Sequence, residues 1–282
     1  MLEIDLDPNL VGGLSWHGVF TALGVAIAVV VVARLAPSMK VDPSIVYSTA
    51  TWAVPGGIVG ARIVHVIDNW GFFTDNPEEI FFIWRGGVGL FGAILGGTIT
   101  GVVYAWTRGY PVAKLADLTA PALLIAQAVG RVGDVINGEH FSNTTDLPWA
   151  WVHTHPDWPG LNHPTPEFPG GLPAIPDEAA GIGYQPSVGY EMVMDVVLLF
   201  LIWRLLGRVA PDGIVMLIYL SLYSLGRFAI QFSRDDPERL GALQQGHVIS
   251  LIVIGVCVLL IAYLSYRRRS YAPAEAAELS GK

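Results

Sequence analysis

Three arginines stand where arginine is expensive. Arg62, Arg131 and Arg227 each lie inside a long apolar stretch, and none of these stretches contains a lysine. A charged side chain at such depth is costly and marks a functional group by default. Counted along its stretch, each lies about five to seven residues from the same end, roughly 8–10 Å deep at helical rise. Close to that level come His17, His65, Asp134, Asn137, Glu191, Gln231 and His247. A lone arginine can snorkel to an interface. Three at one depth, beside carboxylates, describe instead a cationic pocket open to one leaflet. Arginine's planar fork bonds two phosphate oxygens at once, so a phospholipid head group suits such a pocket.

The elements that must position these groups are membrane helices. Of 282 residues, 52% are apolar and 14% charged, against about 25% charged in a soluble domain. The net charge of −8 is therefore not a soluble acidic surface. Seven windows, 14–35, 46–69, 87–106, 116–137, 188–206, 213–232 and 247–266, suit a core that needs roughly 20 apolar residues. Trp16, Trp70, Trp84, Trp106 and Trp203 sit at or near their ends, as an aromatic belt requires. The expected fold is an all-α polytopic membrane protein of seven transmembrane helices.

Orientation follows from the basic residues. With the N-terminus outside, the inner segments hold Arg34, Lys40, Arg108, Lys114, Arg204, Arg208, Arg267, Arg268, Arg269 and Lys282, and the outer ones only Arg85, Arg234 and Arg239. The C-terminus is then cytoplasmic. Residues 1–13 are acidic and lack the basic stretch of a signal peptide, so the first apolar run is expected to stay as an anchor. Residues 1–269 form one seven-helix domain. The Ala/Glu-rich residues 270–282 are expected as a disordered cytoplasmic tail. About 138–187 is an irregular outer loop or cap, with no Lys or Arg and many prolines. Its His153, His155 and His163 have no cysteine beside them, and no metal site is expected there. Cys257 is alone, which excludes an intrachain disulfide. Glycine crowds the third window, where Gly92/Gly96 and Gly97/Gly101 give small-xxx-small pairs for close helix packing. Gly86, Gly87 and Gly89 precede them as a candidate glycine-lined entrance.

The segment Gly130-Arg131-Val132-Gly133-Asp134-Val135-Ile136-Asn137-Gly138-Glu139 resembles the signature G-R-x-G-N-x-x-N-x-E-x-x-G of the bacterial phosphatidylglycerol–prolipoprotein diacylglyceryl transferases. Four further segments follow that family's order. Ser15-Trp16-His17-Gly18 is similar to its W-Y-G start, and Gly60-Ala61-Arg62 through Val66 to its G-A-R-x-x-x-V stretch. Gln185-Pro186-Ser187 through Tyr190-Glu191 resembles H-P-S-Q-L-Y-E. Gly226-Arg227-Phe228 with Phe232, Arg234 and Pro237 resembles R-F-x-x-E-x-x-R. The departures are His17 for the family's tyrosine, Phe91 for its histidine, Asp134 for its asparagine, Ser142 for its last signature glycine and Gln231 for its glutamate.

The resemblance implies transfer of the diacylglyceryl group of phosphatidylglycerol to the lipobox cysteine of preprolipoproteins. A thioether forms and glycerol 1-phosphate leaves. It places the chain in the bacterial inner membrane, multi-pass, with its active site towards the outer leaflet. The chemistry needs a deprotonated thiol and a stabilised phosphate leaving group. The implied catalytic residues are Arg131, Glu139, Asp134, Arg227 and His17. Those implied for substrate binding are Arg62, Asn137, Gly87, Glu191 and Gln231. Glu139, Asp134 and His17 are the candidates for the base. No cofactor, metal or nucleic acid enters. The rival readings are a catalytically silent homologue that binds lipid or lipoprotein precursor, and an anionic-lipid transporter. The first rests on the departures. The second would need a polar route to the cytoplasmic half, which the apolar inner halves of the spans do not offer.

The orientation is checked by reporter fusions. Those after Lys40, Lys114, Arg208 or Lys282 are expected to report cytoplasm, and one near Trp158 the outside. An external signal from the Lys114 fusion overturns the orientation.

Overall fold

The computed structural model describes residues 1–8, 10, 15–83, 87, 89–138, 142–155, 183–234, 238–240 and 243–280, the side chains of 238–240 and 268–280 excepted. Seven long helices coincide with the seven apolar windows. They are α1 (Trp16–Leu35), α2 (Pro43–Asp68), α4 (Leu90–Thr107), α5 (Val112–Asn137), α6 (Ser187–Leu205), α7 (Ile214–Gln231) and α8 (Gln245–Ser280), with a short α3 (Trp70–Asp75) after α2. Six of them are long and apolar enough to cross a membrane, which makes the chain an all-α polytopic membrane protein. The remaining one, α6, carries Glu191, Asp195 and Arg204. Its two carboxylates are buried at 0% and 1% exposure, while Val193, Val196, Val197 and Phe200 face outward. The two carboxylates are thus inside while these apolar side chains face outward, the reverse of a soluble helix.

Local signals set the helix ends. Asp42 caps α2 by accepting a hydrogen bond from Ser44 N at 2.8 Å, with Pro43 at the first position. The start of α7 takes its cap from another helix. Asp117 of α5 accepts from Gly213 N at 2.7 Å and Met216 N at 2.9 Å. Its buried carboxylate is spent on the free amides of a helix start. Backbone helix continues in α8 to Ser280, through the stretch expected as a disordered tail. That stretch is rich in Ala and Glu, which are strong helix formers.

The chain divides into two compact units. Unit 1 comprises Met1–Ala28, Ala116–Trp158 and Glu178–Lys282, and unit 2 comprises Val29–Leu115 and Pro159–Asp177. In unit 1, Ala120 and Leu124 of α5, Leu198 and Ile202 of α6, and Val215 and Tyr219 of α7 form a buried core. Helix α7 returns into α8 through a hairpin of β3 (Glu238–Leu240) and β4 (Leu243–Gln244). The start of α1 lies close on α5, since a Cβ on Gly133 would stand 2.7 Å from His17 Cα. Within the expected irregular outer loop, β2 (Trp151–His153) pairs in parallel with β1 (Leu2–Ile4). Tyr184 bridges to both Trp151 and Thr144. Met1 N donates to Pro148 O at 2.7 Å, so the N-terminal residues are tied to that loop.

In unit 2, α2 and α4 run antiparallel along a seam of glycines. A Cβ on Gly60 would overlap Gly92 O and come within 2.9 Å of Gly96 Cα. One on Gly96 would overlap Gly56 O. Gly57 and Gly97 face each other at ordinary contact distance, and Trp52 stacks on Tyr104 at 5.8 Å. Backbone meets backbone here, as small residues permit in a medium with no hydrophobic drive between helices.

Gly60→Ala is expected to destabilise by about 1–3 kcal/mol through overpacking. Gly255→Ala provides the contrast. It sits in α8, a Cβ there meets nothing within 4 Å, and the change is expected to stabilise by up to about 1 kcal/mol. Thermal unfolding in detergent micelles checks the opposite signs.

Candidate active site

The polar residues of unit 1 gather at one end of its helices. These are the start of α1, the end of α5, the start of α6, the end of α7 and the start of α8. At the centre is Glu191 in the first turns of α6, fully buried. Its Oε2 pairs with Arg131 Nη2. Its Oε1 lies 3.0 Å from Arg227 Nη1 and 3.5 Å from Arg234 Nη1. Arg131 turns its other arm to Asp134, one helical turn on, with Nη1 2.7 Å from Oδ2. Asp134 in turn holds His17, whose Nδ1 is 2.6 Å from Oδ1. One chain of contacts therefore runs from His17 through Asp134 and Arg131 to Glu191, and on to Arg227 and Arg234.

Burial orders these groups. The side chain of Arg234 is 7% exposed, that of Arg131 16%, that of Arg227 20% and that of His17 39%. Glu191 and Arg234 form the closed base of the cluster, while Arg131, Arg227 and His17 keep access. Gln231 and His247 form a second layer. Gln231 Nε2 donates to Gln244 Oε1 at 2.5 Å, Gln244 N donates to His247 Nδ1 at 3.2 Å, and Gln244 Nε2 donates to Arg234 O at 2.9 Å. The rings of Phe228 and Phe232 enclose the His247 imidazole at 4.8 and 4.4 Å. Asn137 is buried at the end of α5.

Three serines tie the segments together. Ser187 Oγ, at the start of α6, is 2.6 Å from Ser142 Oγ and 2.8 Å from Ser233 Oγ. Ser142, which replaces a glycine of the family signature, also bridges by backbone to Arg234. A small cavity beside them is lined by Asp134, Gly138, Ser142, His153, Tyr184 and Ser187, among others. Burial pushes the His153 imidazole below its ordinary range, and its Nε2 donates to Val135 O at 3.2 Å.

Arg62 and Gly87 belong to unit 2. The Arg62 guanidinium donates to three backbone carbonyls of one loop, Ile80 at 2.9 Å, Gly87 at 2.9 Å and Glu79. It also lies over the Phe73 ring, 5.1 Å from the centroid. Gly87 has φ +76°, and a Cβ there would overlap His65 and Arg62. Only glycine adopts that backbone at no cost. In these contacts Arg62 organises the loop after α3. Glu139 lies outside the described residues, as does His163. Among the described residues no group of three His, Cys, Asp or Glu could hold a metal ion.

Sequence reasoning missed two groups. Arg234, part of the segment similar to R-F-x-x-E-x-x-R and counted as an outer charge, is not among the implied site residues, although it follows the last turn of α7 only three residues after Gln231. Asp195, one turn after Glu191 on α6, is buried at 1% exposure. An aspartate in an apolar run at that spacing from Glu191 is itself a signal.

Glu191→Gln keeps the shape and removes the carboxylate that, among the described residues, pairs with all three arginines. Removing one partner of a buried ion pair costs about 3–5 kcal/mol. A fall of the unfolding midpoint in micelles is the expected outcome, and an unchanged midpoint shows that water already neutralises the arginines.

A family model described as prolipoprotein diacylglyceryl transferase matches residues 10–263. The phosphatidylglycerol–prolipoprotein diacylglyceryl transferase of Trichormus variabilis is 34% identical over 262 residues, covering 91% of this chain and 87% of that one. The enzyme of the same name from Thermosynechococcus vestitus is 34% identical, covering 86% and 85%. That from Listeria welshimeri is 34% identical, covering 95% and 92%. With the signature segment at the end of α5 and a match that spans nearly all of its length, the chain belongs to the prolipoprotein diacylglyceryl transferase family.

Proposed function

We propose that this protein transfers the diacylglyceryl group of phosphatidylglycerol to the lipobox cysteine thiol of preprolipoproteins, forming a thioether and releasing glycerol 1-phosphate. The observation that carries the reading is the arginine cluster around Glu191. Among the described residues, Arg131, Arg227 and Arg234 converge on Glu191, and Arg131 also meets Asp134. A phosphodiester is an anion that guanidinium groups bind with paired hydrogen bonds. Arg131 and Arg227 keep enough exposure to meet it, whereas Arg234 and Glu191 hold them from behind. Donors fixed before the reaction stabilise charge as it develops on the leaving phosphate and need no reorganisation at that moment.

In this reading Glu191 and Gln231 act on the lipid through the arginines and the buried layer behind them. Asn137 and Gly138 end α5 beside the same site. Arg62 and Gly87 shape the loop that the third apolar window follows. The thiol must also lose a proton, for which Glu139, Asp134 and His17 are the candidates. The site lies at the outer leaflet of the bacterial inner membrane, with the N-terminus outside and the C-terminus in the cytoplasm. Helix α6, fifth of the long helices in chain order, completes the seven spans. Its inward-facing carboxylates and outward-facing valines support that assignment despite its charge.

The decisive experiment is complementation of a bacterium depleted of its own transferase, read as thioether lipid on a reporter lipoprotein. Growth without thioether lipid, or no rescue by a protein shown to be in the membrane, favours the silent homologue. Arg131→Lys and Arg227→Lys keep the charge and lose the two-point fork. Each is expected to lower transfer at least about tenfold with the protein still in the membrane. Near-normal transfer in both removes the phosphate site.

A further inference from the structure

We infer that His17 and Asp134 form a proton-accepting dyad, with His17 the general base for the thiol and Asp134 its positioning residue. This rests on the transferase reading and assigns one of its open roles. Both are departures from the family signature, and the fold brings them together from the start of α1 and the last turns of α5. His17 Nδ1 is 2.6 Å from Asp134 Oδ1. A carboxylate can only accept, so Nδ1 carries the hydrogen, and in the neutral form of such a ring Nε2 is the nitrogen that takes a proton. Asp134 is itself fixed, because its Oδ2 accepts from Arg131 Nη1 at 2.7 Å. It is also buried, at 5% exposure. Gly133 makes the approach possible, since a Cβ there would stand 2.7 Å from His17 Cα and 3.0 Å from Trp16 O.

The arrangement separates two tasks along one chain of contacts. Asp134 orients the imidazole and stabilises the imidazolium that forms when it takes a proton. Arg131, on the other oxygen of Asp134, faces the phosphate. Asp134 is therefore engaged on both oxygens, while His17, with its side chain 39% exposed, keeps access. In the step itself the cysteine S–H proton passes to His17 Nε2. Sulfur forms its bond to the glyceryl carbon while that carbon's bond to the phosphate oxygen breaks. The electron pair of the broken bond leaves on the phosphate, beside Arg131 and Arg227. The imidazolium then gives its proton to the outer aqueous phase. Phe91, at the position of the family's histidine, has no titrating group to take the proton. The dyad supplies a base from the other end of the sequence.

The test uses the full chain in phosphatidylglycerol membranes with a lipobox peptide. His17→Gln and Asp134→Asn are each expected to lower kcat at least about tenfold, with KM for phosphatidylglycerol changed less than threefold in His17→Gln. In the double variant Asp134→Asn is expected to add less than in the wild-type background, since a positioning residue has nothing left to position. Exogenous imidazole is expected to restore part of the activity of His17→Ala. A spectroscopic arm needs no turnover. In 15N-histidine spectra the His17 ring is expected as the Nδ1–H tautomer, and Asp134→Asn is expected to redistribute it. Full activity of His17→Gln, equal effects of Asp134→Asn in both backgrounds, or an Nε2–H tautomer each overturns the dyad. A wild-type protein that transfers nothing overturns the transferase reading instead, and the tautomer still decides the dyad.

Discussion

A wholly buried carboxylate among three guanidinium groups is the constraint on which unit 1 depends. Glu191 cannot be left charged and alone in a low-dielectric interior, and neither can the arginines. Each therefore fixes the others. Arg131 ties α6 to the end of α5, Arg227 ties it to the end of α7, and Arg234 ties it to the residues that follow α7. Ser187, at the start of α6, adds a neutral tie to Ser142 and Ser233. Four segments are joined at one end by polar contacts, and the core of Leu124, Ile202, Val215 and Tyr219 joins α5, α6 and α7 along their length. The same pairing that holds the fold leaves two arginine side chains partly open. A site for an anion thus follows from a solution to a folding problem.

Unit 2 solves its packing without charge. Between α2 and α4 the side chains are removed altogether, and two backbones meet through Gly56, Gly60, Gly92 and Gly96. Arg62, the buried cation of this region among the described residues, is hydrogen-bonded to loop carbonyls. The two units therefore use their intramembrane arginines differently. In one, guanidinium groups meet carboxylates and keep access. In the other, a guanidinium substitutes for the backbone partners that a loop would otherwise lack.

Much of this was legible in the chain. Apolar windows mark the seven long helices among the described residues, although charged residues interrupt several of them and α6 most of all. The glycine spacing of the third window announces a close helix contact, although not that its partner is α2. Arg131, Asp134 and Glu191 stand out as polar groups in apolar stretches. Their pairing does not, because Glu191 and its partners come from separate helices and no local pattern encodes the match. Asp134 shows the limit well. As a residue it reads as a departure from a signature, and only the fold shows that it meets the other departure at His17. Arg234 was misjudged for a related reason. It follows the last turn of α7, so a count of loop charges places it in water, whereas the hairpin of β3 and β4 turns the chain back over it and Gln244 fixes its carbonyl.

The parallel pairing of β1 with β2 bears on assembly. Leu2 lies opposite Trp151, and Met1 is bonded to Pro148 across 147 positions of sequence. Four of the apolar helices, α1, α2, α4 and α5, are made between the two strands. β1 therefore has no partner until the chain has been made as far as β2. Closing so long a loop has a conformational cost that rises only slowly with its length. The pairing of β1 with β2 is thus a late event, and its formation marks a chain whose first four long helices have already been made.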